Sequence, residues 1–244
     1  MNHQQLLAVA MLWSSALPSF AEPAPTIHAE IRLLAFSSDF VMDEVFAQDP
    51  AATSTAASVK TSVRSGLNHE FTTLQLTGPK IVFTKKADRE SMTREGELVG
   101  EVSMPDGVKS AILLLIPPAK ESKALCRIMA INDSKRAFPA GSYFATNMSP
   151  LKVRMILQEK NFDFNPSQTM LIEHPPMNAD HQIGMETFAF KDNAWLQMAA
   201  SIWSDPGKRR SVLIFYPDVA TGYVQLRAFD DVMPRTEVEA ATVR

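Results

Sequence analysis

The chain has 244 residues, of which 45% are hydrophobic, with 24 Lys+Arg against 27 Asp+Glu and a formal net charge of -3. An apolar content near the globular average excludes wholesale disorder, and 9 Gly with no Gly-X-Y period exclude collagen. A net charge this close to zero excludes a general attraction of the whole protein to nucleic acid.

An apolar run near the N-terminus predicts a secretory signal peptide over residues 1–21. The run LLAVAMLWSSAL at 6–17 ends at Pro18, and small residues follow at the positions that a signal peptidase recognises. The alternatives are a buried first helix or a membrane anchor, but the run is shorter than the roughly 20 apolar residues that a membrane-spanning helix needs. We therefore expect cleavage after Ala21 and no transmembrane segment in the mature chain.

Short runs rich in β-branched and aromatic residues recur along the chain, bounded by Pro, Gly, Asn or Asp, and predict strands. One segment, 43–58, is Ala-rich enough to suggest a helix, but Pro50 and several Thr and Ser residues favour a loop. The pattern indicates an all-β fold of the sandwich type. The predicted strands are 29–36, 59–63, 71–76, 80–84, 100–104, 109–116, 125–131, 142–147, 152–158, 170–173, 186–191, 195–203, 211–216 and 223–229.

A polar, proline-led stretch at 117–123 separates two groups of predicted strands. We therefore predict two immunoglobulin-like β-sandwich halves, an N-terminal half at 22–117 and a C-terminal half at 118–234, followed by a polar tail at 235–244. The alternative is one continuous sandwich that both halves share.

Cys126 is the single cysteine of the chain, so no intramolecular disulfide can form. Its flanks are strand-like, which predicts a small buried apolar side chain. A reactive thiol would need a helix N-terminus or a basic partner, and only Arg127 stands beside it. The stability of the fold must therefore come from its core.

The segment 138–150 reads FPAGSYFATNMSP, and the apolar run 153–157 and the turn NPS at 165–167 follow it. This succession resembles a group of uncharacterised secreted bacterial proteins with PAGS and NLSP segments, and more distantly the immunoglobulin-like sandwiches of cell-envelope accessory proteins. The resemblance extends over 31–232 in spacing. It implies an exported β-sandwich and attaches no reaction to it.

The common enzyme signatures do not occur in the sequence: there is no G-x-S-x-G, P-loop, G-x-G-x-x-G or H-E-x-x-H pattern. Asp230 and Asp231 form an adjacent acidic pair at the end of the last predicted strand. Because strand neighbours point to opposite faces, a solvated strand end is favoured over the paired acids of a glycosidase. We predict no catalytic residue and no cofactor.

Two histidines and two methionines lie within one loop and define the candidate metal site: His174, Met177, His181 and Met185. Imidazole and thioether groups are the ligands that suit Cu(I) in an exported protein. The alternative is a proline-stiffened connecting loop in which the methionines fill gaps in the packing.

Two predicted turns carry five basic residues, which are Lys135, Arg136, Lys208, Arg209 and Arg210. Each turn by itself is typical of a solvated connection between strands. If both turns lie at the same end of a sandwich, their charges would form a patch for an anionic glycan or a lipid head group.

Trp195 and Trp203 stand eight residues apart in one predicted strand. An even spacing places both side chains on the same face of a regular strand. Packing into the core is the expected role, and an aromatic platform for sugars is the alternative.

Together these patterns predict an exported, non-enzymatic binding or structural module of the cell envelope. Its compartment would be the periplasm, the outer membrane surface or the medium, and its partner an envelope protein or an anionic glycan rather than nucleic acid. The competing hypotheses are an extracytoplasmic copper-binding protein and a hydrolase that acts on envelope polysaccharide.

The export hypothesis predicts the first residue of the mature protein. When the full chain is expressed in a bacterium, N-terminal sequencing of the exported product should give Glu22, because Ala21 is the small residue that closes the recognition site. A soluble cytoplasmic product that retains Met1 would contradict the signal peptide.

Overall fold

The computed structural model describes residues 26–52, 58–118, 121–218 and 220–232, and it confirms the all-β class. The predicted signal peptide and the polar tail lie outside the described residues. Within those residues the helical elements are two 3-10 turns, Ser38–Phe40 and Arg89–Met92. The strands are β1 (Ile27–Ala35), β2 (Met42–Gln48), β3 (Ser58–Arg64), β4 (Thr72–Leu76), β5 (Lys80–Thr84), β6 (Leu98–Ser103), β7 (Ser110–Ile116), β8 (Arg127–Asn132), β9 (Tyr143–Asn147), β10 (Val153–Leu157), β11 (Lys160–Phe164), β12 (Thr169–Ile172), β13 (Gln182–Lys191), β14 (Ala194–Ser204), β15 (Arg210–Pro217) and β16 (Val224–Asp231).

The first eight strands form one sheet that curls around its own core. The strand order is β6-β5-β2-β3-β1-β7-β8, and β4 pairs with β1. The sheet closes because the amides of Leu125 and Cys126, just before β8, donate to the carbonyls of Leu98 and Val99 at 3.2 and 2.9 Å. The N-terminal unit is therefore a closed barrel, whereas the sequence predicted a two-sheet sandwich for 22–117.

The division between the two units lies further along the chain than predicted. Strand β8 follows the predicted boundary at 117, yet it pairs antiparallel with β7 from Ala111 to Ile116. The polar stretch after Ile116 is thus the connection within a hairpin of the barrel. The C-terminal unit begins with β9.

Two four-stranded sheets form the C-terminal unit, in the orders β12-β9-β15-β16 and β11-β10-β13-β14. They enclose a second core that includes Met155, Phe164, Ile183 and Phe215. The rings of Phe164 and Phe215 lie 5.4 Å apart between the sheets. This unit is a two-layer sandwich.

Strands β1, β7 and β15 are buried on both faces because the barrel packs against the sandwich. On β7, Leu113 points into the barrel, while Leu114 joins an interface cluster with Val212 and Ile214 of β15. A strand that is covered on both sides has no face for polar residues. The uninterrupted apolar run SAILLLI of β7 follows from this position.

A cluster of four buried charges lies in the same interface. Arg32 on β1 and Arg210 on β15 face Asp133, just after β8, and Asp231, at the end of β16; the side chains are at most 2% exposed. Arg32 donates to Asp133 Oδ2 at 3.0 Å and to Asp231 Oδ2 at 2.8 Å. Arg210 bonds the same two carboxylates, so each aspartate is shared by both guanidinium groups.

Backbone and aromatic groups complete this charge cluster. Arg32 donates to the carbonyl of Leu67 and Arg210 to that of Phe138, both at 2.5 Å. The two guanidinium groups also lie over the rings of Phe71 and Phe138, at 4.7 and 4.4 Å from the ring centroids. Burial raises the pKa of Asp133, and the adjacent guanidinium groups oppose that rise.

Two sequence-based assignments are corrected by this charge cluster. Arg210 was placed in a solvated basic turn, but it is 1% exposed and paired with aspartates. Asp231 was placed at a solvated strand end, but it is fully buried, whereas its neighbour Asp230 is exposed. The alternation of side chains along β16 turns one carboxylate inward and the other outward.

Two strands were not predicted. Strand β2 occupies Met42–Gln48, where a loop was expected, and β11 occupies Lys160–Phe164. On β2 only Val45, Ala47 and Gln48 are buried, and the charged Asp43 and Glu44 stand at its exposed end. Such a short apolar stripe gives a weak alternation signal.

The charge cluster predicts a large difference between two adjacent aspartates. Asp231→Asn should lower the free energy of unfolding by about 3–5 kcal/mol, because it leaves a buried guanidinium short of its counter-charge. Asp230→Asn is the control: it keeps an oxygen acceptor for Ser211 and should cost about 0.5 kcal/mol or less. Urea denaturation at neutral pH measures both, and equal losses would contradict the role of the cluster.

The environment of Cys126 predicts an unreactive thiol. Its side chain is in the barrel core, 1% exposed, and burial raises the pKa of Cys126 to about 12. The thiol is therefore protonated at neutral pH, and a thiol reagent should modify it only after the protein is unfolded. Reductant should leave the melting temperature unchanged. Stoichiometric modification of the native protein would contradict this assignment.

Candidate functional site

The candidate metal ligands are divided between the surface and the core. His174 and His181 are exposed, and Met177 is 44% exposed, whereas Met185 is buried in the sandwich core on β13. His181 Nδ1 lies 3.7 Å from a carboxylate oxygen of Asp205. Met185 is therefore not placed to share a solvent-facing ligand set with the two histidines. In the described part of the chain, no three His, Cys, Asp or Glu side chains are grouped to hold a metal ion.

The two basic turns do lie side by side. The amide of Gly141, after the first turn, donates to the carbonyl of Arg209 at 2.8 Å. Gly141 has a φ of 75°, and an added Cβ would meet the carbonyl oxygen of Gly207 at 3.1 Å, so this close approach requires glycine.

The basic side chains at these turns differ in exposure. Lys135, Arg136 and Lys208 are exposed, and Arg209 is half-buried. Arg210 points into the interface, as described above. An anion patch would thus have to use the first four residues, and it stays a prediction.

A β-bulge places the two tryptophans on opposite faces of β14. The register with β13 shifts between Thr187 and Phe188, and Met198 is the extra residue of β14. Trp203 pairs with the buried Ile183 and faces the sandwich interior, whereas Trp195 pairs with Phe190 on the outer face. The same-face prediction is therefore wrong, because an inserted residue reverses the alternation.

Each tryptophan has its own aromatic and cationic neighbours. Trp195 lies under the guanidinium of Arg154, 4.4 Å from the ring centroid, and 5.2 Å from the ring of Phe190. Trp203 meets Tyr143 edge-to-face at 5.5 Å. Only Trp203 of the two faces the space between the sheets.

Strand β14 combines four features: great length, lack of charge, exposure and an unpaired edge. It is the longest described strand, with 11 residues, and its sequence AWLQMAASIWS contains no charged residue. None of its residues is buried, and Ile202 is 72% exposed. In the described residues it pairs with β13 alone, so one full edge of its backbone has no strand partner.

The other edge strands of the sandwich carry the features that normally protect a sheet edge. Strand β11 includes Lys160 and Asp163, and β16 includes Arg227 and Asp230. Strand β12 has only 4 residues. Charge and shortness both discourage the addition of another strand. Strand β14 has the bulge alone.

A cleft opens where β14 diverges from β16 of the opposite sheet. Its main part has a volume of about 660 Å³ and an apolar floor that includes Leu196, Met198, Trp203 and Leu226. A second hollow of about 330 Å³ continues from Trp203 and Ala228 towards Arg209. The two hollows together follow the length of β14.

Polar groups stand at the two ends of this cleft. Lys191 lines one end, and Arg209 with Asp230 lines the other. The guanidinium of Arg209 is positioned by the Oγ atom of Ser204 at 2.9 Å. Burial raises the pKa of Tyr143, beside Trp203, to about 12, so its hydroxyl is neutral at ordinary pH.

This arrangement is suited to binding an extended chain. The free edge of β14 offers backbone donors and acceptors, and the cleft offers an apolar surface beside them. The sequence does contain the signal, because residues 194–204 lack Asp, Glu, Lys and Arg. It does not show that this strand is an edge, since that depends on pairing between distant segments.

The chain matches no protein-family model, and no curated protein matches it either. None of the described helical turns has the length or the apolar character of a membrane span.

Proposed function

We propose that this protein is an exported, non-catalytic binding module of the cell envelope, and that it binds an extended polypeptide segment along β14. The observation that carries this proposal is an uncharged edge strand of 11 residues, none of them buried, beside a cleft with an apolar floor. A long apolar edge exposed to water is a liability that soluble proteins normally protect. A bound strand removes that liability.

The docked segment would become a fifth strand of the sheet β11-β10-β13-β14. Its backbone would exchange hydrogen bonds with β14, and its alternate side chains would enter the cleft. There they would meet Leu196 and Trp203, which line the cleft from β14. At roughly 3.3 Å per residue, the edge is about 35 Å long, which provides room for a strand of ordinary length.

A bound polypeptide would cover more of the exposed surface of β14 than a bound lipid would. An acyl chain in the cleft would cover its apolar floor and the part of Ile202 that lines the second hollow. It would leave the backbone edge of β14 without partners. A strand covers the edge and contacts both faces, because its own side chains alternate.

A synthetic strand tests this proposal directly. The probe is a capped peptide of about nine alternating valine and threonine residues, long enough to cover most of the edge. Hydrogen exchange with mass spectrometry should show slower exchange at β14 when the peptide is added, and no change at the charged edge strand β11. The same peptide N-methylated at every residue keeps its side chains but has no amide donors, and it should give no protection.

A pair of tryptophan variants supplies the matched control. Trp203→Ala should weaken peptide binding by roughly tenfold, the equivalent of about 1.4 kcal/mol, because it removes apolar surface from the cleft. Trp195→Ala should weaken binding far less, since that ring packs on Phe190 outside the cleft. Unchanged exchange at β14, or equal protection by the N-methylated peptide, would overturn the proposal.

A further inference from the structure

We infer that the segment that covers β14 is the β14 strand of a second copy of this chain, paired antiparallel about a two-fold axis. This inference rests on the proposed function, because it names the partner of the same edge. The two sheets would join into one continuous sheet, with four strands from each copy.

The charge pattern favours a second copy. In a two-fold pair each strand faces its own sequence, so every charged residue near the axis meets a like charge. Strand β14 contains no charge that could produce such repulsion. Strands β11 and β16 do contain charges, so a pair centred on Lys160 or Asp163 of β11, or on Arg227 or Asp230 of β16, would set that charge against its own copy. The whole chain carries a net charge of only -3, which opposes association weakly.

The bulge selects the part of β14 that can pair with itself. A two-fold pair must set cleft-facing residues opposite cleft-facing residues, and the alternation is regular only beyond Met198. A pair centred on Ser201 fulfils this condition over 199–203. It sets Ala199 opposite Trp203 and Ala200 opposite Ile202 of the second copy.

This register matches small side chains with large ones. Trp203 and Ala199 face the cleft, and Ile202 and Ala200 face outward, so each large side chain meets an alanine across the axis. Ile202, the most exposed large apolar residue in the described part of the chain, would be covered in both copies. Complementary sizes let the strands approach to ladder distance on both faces.

The register gives a sharp crosslinking test. With Ser201 on the axis, the two Cα atoms lie about 4.5–5.5 Å apart, which is within the range of a disulfide. Ser201→Cys in the full chain should therefore form a covalent dimer on mild oxidation. Ser103→Cys, at an equally exposed site on β6, is the control and should stay monomeric. The native Cys126 is buried and does not compete.

Charge variants at Ile202 provide a second measurement that does not depend on oxidation. Ile202→Lys and Ile202→Glu should each raise the dimer dissociation constant by roughly tenfold or more in sedimentation experiments, because like charges meet near the axis. An equimolar mixture of the two variants should restore the dimer. Val41→Lys, which changes an exposed aliphatic residue remote from β14, should have no effect.

The outcomes separate this inference from the proposed function. A chain that is monomeric at all concentrations and forms no Ser201→Cys dimer overturns the second copy, whereas peptide protection of β14 in that monomer supports the proposed function. A dimer that Ile202→Lys does not weaken overturns the inference too. Loss of dimer in both charge variants without recovery on mixing also counts against it.

Discussion

The four buried charges between the barrel and the sandwich are the constraint on which the rest of the structure depends. Arg32 belongs to the barrel and Arg210 to the sandwich. The carboxylates of Asp133 and Asp231 each accept hydrogen bonds from both guanidinium groups. The cluster is neutral as a whole, and each charge is compensated only when all four segments are in place. A buried charge without its partner costs several kcal/mol, so the apolar interface and the charge cluster must form together. The relative position of the two units is thereby fixed.

That fixed interface determines which surfaces remain for binding. The sheet that contains β15 packs on the barrel with one face and on the sandwich core with the other. The sheet that contains β14 has only the sandwich core to cover it, and β14 extends past that core at the side opposite β11. The cleft therefore lies between β14 and strand β16 of the opposite sheet.

The local sequence pattern was enough to predict the positions of most strands, but not which strands pair with each other. The run at 195–203 was predicted as a strand, and the structure has β14 at Ala194–Ser204. The burial of Asp231 could not be predicted, because its partner Arg32 is 199 residues away in sequence. A single bulge residue puts Trp195 and Trp203 on opposite faces of β14, and the spacing of the two tryptophans does not reveal that bulge. Edge position, cleft and charge cluster all arise from long-range pairing, and one sequence carries no direct signal for it.

The distance in sequence between Arg32 and Asp231 has a consequence for folding during synthesis. Synthesis proceeds from the N-terminus, so the barrel segments emerge long before the last strand. Until β16 arrives, Arg32 lacks one of its two carboxylates, and a barrel closed early would hold a poorly compensated charge against an uncovered apolar face. The order of emergence thus disfavours a stable N-terminal fold on its own. The charge cluster therefore links the folding of the barrel to the arrival of the C-terminal strands.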